Sequence, residues 1–149
     1  ALGVTAGSRV VLALDDPADE LLALLACARL GAVFVTVPPA DLAVAVDHHR
    51  PVLVATSAPP VFGAHVPAAC VVRGTPTLDP GRDLDWEMAV RAGRTQGSAV
   101  VDRSPSDPAY VVGDRVVSVG EALEPSSPHG PSLGSLVAGR PVDLRRVDA

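Results

Sequence analysis

The residues with the means to do chemistry fall into a few small groups. Asp47-His48-His49 joins a carboxylate to two imidazoles, a set that suits proton exchange or half of a metal site. Adjacent histidines point different ways on a helix or strand, so His48 and His49 read first as a polar helix end before Pro51. They are retained as ligand candidates, as are Asp15 and Asp16. That second pair follows an apolar run, where open α/β sheets bind ligands at their strand ends. Helix capping explains the same two residues without a ligand. Asp83, Asp85 and Glu87 form an acidic cluster that reads as a solvated face and a helix start. His65 and His129 fall in loops rich in Gly and Pro. Cys27 and Cys70 sit in apolar runs with no C-x-x-C pair, so both read as core. No G-x-S-x-G elbow supports a hydrolase triad. All twelve basic residues are arginines, so lysine chemistry is absent from these 149 residues. No catalytic residue, metal site or cofactor is expected.

Composition sets the outer bounds. The length suits one domain with one core. Aromatics make up only 3%, so Val, Leu and Ala must fill that core. Scattered arginines and a net charge of −5 argue against nucleic acid as the main partner. Every apolar run is interrupted well before the roughly 20 residues of a membrane span. No basic stretch precedes an apolar run in the manner of a secretory leader, and a cytoplasmic setting is expected. The first residue, Ala1, suggests a trimmed chain or a piece of a longer one.

The elements that must carry these groups alternate in type. Arg9 to Leu14 reads as a buried strand after the turn Thr5-Ala-Gly-Ser8. Asp16-Pro17 opens a helix that runs to Leu30 and stops at Gly31. That helix is apolar almost all round, which predicts burial on more than one side. Strands follow at 33–37, 51–55 and 68–72, with a short helix over 41–47. A loop spans 74–83, and a short amphipathic helix covers 84–92 with Trp86 and Met88 to Val90 as anchors. A Gly/Ser/Pro-rich linker leads to Asp107. Two β-prone runs, 109–112 and 115–119, flank Gly113-Asp114, a turn pair that fits a II′ hairpin. Residues 132–138 can form a last helix, and 140–149 read as a polar, fraying tail. The pattern predicts an α/β fold of three layers, a mostly parallel sheet with flanking helices plus a C-terminal β-hairpin. It divides into an α/β domain at 1–123 and a Pro/Ser-rich loop with a short helix and tail at 124–149.

Five segments, in order, resemble the adenylate-forming superfamily of acyl-CoA synthetases, luciferases and nonribosomal peptide synthetase adenylation domains. Leu2-Gly-Val-Thr-Ala-Gly-Ser-Arg-Val-Val-Leu-Ala-Leu14 is similar to its first strand region. Leu24 to Pro39 resembles its next helix, strand and proline turn, and Val46 to Val54 the helix end and strand after that. Asp85-Trp-Glu87 and Ser106 to Val112 resemble the approach to the nucleotide site. The match covers about the first three quarters of the chain, a truncated N-terminal part of the family's body. In that family the last strand feeds a loop of the type S-G-T-T-G-x-P-K-G, whose backbone N–H groups and lysine hold the ATP phosphates. Here Gly113-Asp114 stands in its place, and Gly74-Thr-Pro-Thr77 is only a faint echo. Residues 108–123 also resemble the family's extreme N-terminal hairpin, so a shortened loop and a transposed hairpin are both open.

The resemblance implies ancestry and fold without activity. The first functional reading is a degenerate, non-catalytic adenylation-type domain that binds proteins, as a homodimer or on a synthase or carrier-protein assembly line in acyl or natural-product (polyketide or nonribosomal peptide) biosynthesis. The second is a fragment of an adenylating ligase completed by another polypeptide. The third is a small-ligand-binding module at the strand ends near Asp15 and Pro38.

Overall fold

The computed structural model describes residues 3–74, 78–94 and 100–139. Seven strands form one sheet: β1 (Arg9–Ala13), β2 (Val33–Thr36), β3 (Leu53–Thr56), β4 (Ala69–Val72), β5 (Asp83–Asp85), β6 (Pro108–Val112) and β7 (Arg115–Ser118). Their order across the sheet is β5-β4-β3-β1-β2-β6-β7. All neighbours are parallel except β6 and β7. The sheet's centre is buried on both faces, which is why β1 and β2 are nearly unbroken apolar runs. Alternation along β1 sends Val10, Leu12 and Leu14 to one face and Val11 and Ala13 to the other.

The first face is covered by α1 (Pro17–Leu30), packed on β1 and β2, and by α3 (Trp86–Gly93), packed on β4 and β5. Leu133 of α4 (Gly130–Val137) also packs into this core. The second face is covered by α2 (Leu42–His49), reached from β2 through a 3₁₀ turn at Pro39–Asp41. The α1 boundaries follow the sequence closely. Asp16 caps it by accepting from the Ala18 N–H at 2.8 Å, and Gly31 ends it at φ 74°.

Several expectations need correction. The helix expected over 84–92 begins at Trp86, because Asp83–Asp85 pairs with β4 as an edge strand and Asp85 then caps the helix. With that start, Trp86 and Ala89 face the core one turn apart, while Met88 (67% exposed) and Val90 (44%) do not anchor it. Asp83 is not part of a solvated face. It is buried, bonded to the Arg82 Nε at 2.6 Å, and accepts from the Asp79 N–H. The Arg82 bond is the main reason its carboxyl lies below the usual range. Nor is α1 buried on several sides: only Glu20, Leu24 and Cys27 are, and Leu22 is 61% exposed. The last helix starts two residues earlier than expected. The 140–149 tail, residues 95–99 of the linker and Thr75 to Thr77 lie outside the described residues.

Candidate interaction surface

Gly113 and Asp114 form the whole connection between β6 and β7, with Val112 opposite Arg115. Gly113 has φ 60° and Asp114 does not share a positive φ, the pattern of a II′ turn. β6 lies parallel to β2, with Phe34 beside Tyr110 and Val35 beside Val111. A strand at this place turns straight back, and no backbone is left to encircle an anion between Val112 and Arg115.

The structure brings three of the candidate residues together. The His48 Nε2 meets the Asp114 Oδ1 at 2.9 Å, tying the hairpin turn to α2. The His49 ring stands edge-on to His48 with centroids 4.6 Å apart, and its Nδ1 lies 3.4 Å from the Arg9 Nη1. Burial first, then the charges of His48 and Arg9, lower the His49 pKa, so its ring is an acceptor for Arg9 near neutral pH. The arrangement is a strap. Among the described residues, no three His, Cys, Asp or Glu side chains are placed to hold a metal.

Asp15 and Asp16 stand apart from that strap. Asp16 is occupied as the α1 cap, and the Asp15 N–H donates to the Ser57 Oγ at 2.9 Å. His65 is fixed by Asp47, which accepts from its N–H, and its Nε2 lies 3.1 Å from the Pro51 carbonyl. The thiols of Cys27 and Cys70 are pushed up to about 12 by burial, which removes both as nucleophiles.

His129 was legible only as a loop residue, and the structure gives it a core position. Its ring stands edge-on to Tyr110 (4.8 Å) and Phe34 (5.4 Å), and its N–H donates to the Tyr110 hydroxyl. Burial drives its pKa down to about 4.

An apolar opening lies between α1 and α3. On this face α1 packs mainly on β1 and β2, and α3 on β4 and β5, so among the described residues β3 has no helix packed chiefly on it. The result is a groove of about 350 Å³ with Leu53, Ala55 and Val71 at its base. Leu22, Ala26 and Leu30 form one wall, and Trp86, Ala89 and Val90 the other. Arg73 spans α1 and α3 by ion pairs to Asp19 and Glu87, with its guanidinium 5.8 Å from the Trp86 ring. Among the described residues, no charged side chain lines the groove itself. The groove could not be read from sequence, because its walls come from segments some 60 residues apart. The one trace of it was the nearly all-apolar α1.

No protein-family model matches this sequence. The chain is similar to the uncharacterized protein PA3568 of Pseudomonas aeruginosa, with 34% identity over 137 residues, covering 75% of this chain and 22% of that protein. Its fold is similar to a Brucella canis acyl-CoA synthetase at TM-score 0.56 and 22% identity, over 72% of this chain and 21% of the other. A benzoate CoA ligase from Burkholderia xenovorans gives TM-score 0.55 and 21% identity, over 74% and 23%. The chain spans about a fifth of the length of each of these proteins.

Proposed function

We propose that this chain, whose fold is that of a truncated part of an adenylate-forming ligase, performs no adenylation itself and acts as a protein-interaction module in acyl or natural-product biosynthesis. The observation that carries this reading is the two-residue closure of β6 onto β7. Adenylating enzymes of the resembled type hold the triphosphate on a glycine-rich loop after this strand, with a lysine for charge. Here the turn offers one glycine and the Asp114 carboxylate, which repels phosphate.

The binding role draws on the groove between α1 and α3. An open slot lined by apolar side chains is the kind of surface that proteins cover. Its occupant on this reading is a second copy of the chain or a larger synthase subunit. Two measurements test the proposal. ATP–pyrophosphate exchange with the chain alone is expected to stay at background across carboxylic and amino acid substrates. Light scattering is expected to give a dimer, or a monomer that forms a stable complex with a synthase of its pathway. Exchange above background, or a monomer that binds no such subunit, overturns it.

Because this chain matches only about a fifth of each similar protein, a second reading is that it is one portion of a ligase whose loop and lysine lie in another polypeptide. Exchange activity that appears only on mixing with that polypeptide distinguishes this from the first reading.

A further inference from the structure

A second cavity opens on the opposite face of the sheet from the groove. It lies between the β6–β7 hairpin and the starts of β1 and β2, and has a volume of about 480 Å³. That is within the range of small-molecule sites. Val33 and Val111 form its buried floor, and Val116, 48% exposed, forms a side. Arg9 and Ser106 supply polar groups at its rim. We propose that this cavity binds a small organic anion, with the Arg9 guanidinium on the charged end and the three valines on an apolar body.

The charge arrangement favours an anion here. Among the described residues, no carboxylate lines the cavity. The acidic residues of the surrounding segments are already engaged: Asp114 by His48, Glu121 by Arg115 and Ser118, and Asp107 by Arg103 and the Ser104 N–H. Among the described residues, no carboxylate lies within ion-pair distance of Arg9. Its guanidinium is instead oriented by the His49 Nδ1 at 3.4 Å, which leaves its remaining N–H donors for a ligand. A guanidinium suits carboxylate and phosphate alike, because its fork matches both. The chain's net charge of −5 gives anions no general attraction, so affinity must come from the cavity itself.

The cavity and the groove are on different faces, so this inference stands or falls apart from the docking role. The test is methyl NMR on the full chain with labelled valine, titrated with sodium hexanoate, hexyl phosphate, hexan-1-ol and inorganic phosphate. At least one of the two organic anions is expected to shift the Val33, Val111 and Val116 methyls to saturation. Hexan-1-ol and inorganic phosphate are expected to leave them unmoved over the same range. Which of the anions saturates identifies the charged group. Arg9→Gln is expected to weaken binding about tenfold or more, the scale of a charge-assisted hydrogen bond. Val116→Asp, at an exposed position, is expected to weaken it as well and decides the matter if Arg9→Gln does not fold. Absence of shifts with both organic anions at millimolar concentration overturns the proposal. So do equal shifts with hexan-1-ol, or unchanged affinity in a folded variant.

Discussion

At the scale of single residues, His129 makes the clearest prediction. It is 4% exposed and packed against two aromatic rings, so a proton on it would be a desolvated cation. Its folded pKa of about 4 lies below the ordinary 6.5. The unfolded chain therefore binds the proton more readily. The contribution of neutral His129 is fully present above about pH 6.5 and is lost as pH falls toward 4. Each pKa unit corresponds to about 1.4 kcal/mol, so the loss approaches roughly 3 kcal/mol. Urea denaturation from pH 7 to 4.5 is expected to show this decline in the parent and a flatter profile in His129→Leu. Equal slopes in the two proteins would sink the assignment. The sequence marked His129 as a loop residue because its neighbours are Pro128 and Gly130. Its burial depends on Tyr110 and Phe34, which are distant in the chain and carry no local trace of the contact. The cysteines were easier to read, since an apolar run around a thiol already implies core. Both are expected to resist thiol reagents in the native protein and to react on unfolding, as absorbance of released thionitrobenzoate would record.

At the scale of elements, legibility followed the strength of local punctuation. Helix α1 was readable at both ends because Asp16-Pro17 and Gly31 are strong boundary residues. Strand β5 was not, because three residues, Asp-Leu-Asp, carry no strand pattern without the β4 edge beside them. Asp16→Ala is expected to lower stability by about 1 kcal/mol through loss of the α1 cap. The denaturation midpoint measures this, and an unchanged midpoint would reopen Asp16 as a residue kept for a ligand. Gly113→Val is expected to destabilise by roughly 1–2 kcal/mol, since a β-branched side chain strains at a positive φ. Asp114→Asn, in contrast, only weakens an exposed ion pair with His48 and should change the midpoint little.

At the scale of the molecule, the parallel sheet and its two helix layers were legible from the alternation of apolar runs and helices. The strand order was not, because nothing local tells β6 to join the β2 edge across more than 70 residues. The groove was hidden for the same reason. Leu22→Glu places a charge on its wall at a site exposed enough to leave the fold intact. On the docking reading, it is expected to shift a dimer to monomer in light scattering, or to abolish capture by the synthase subunit, without moving the melting temperature of the isolated chain. Loss of folding instead of association would place Leu22 in the core rather than at a contact.

The short turn between β6 and β7 also bears on how this fold tolerates changes in chain length. Strand β6 is held by β2 whatever follows Val112, while β7, at the edge of the sheet, pairs with β6. The entropy of closing a flexible loop grows slowly, by only about 0.6 kcal/mol for each doubling of its length. A loop grafted between Gly113 and Asp114 therefore lengthens the molecule at a point where the scaffold hardly registers it. The same physics means that such a loop can be shed and leave the sheet standing, so that a chain can lose a chemistry and keep its architecture.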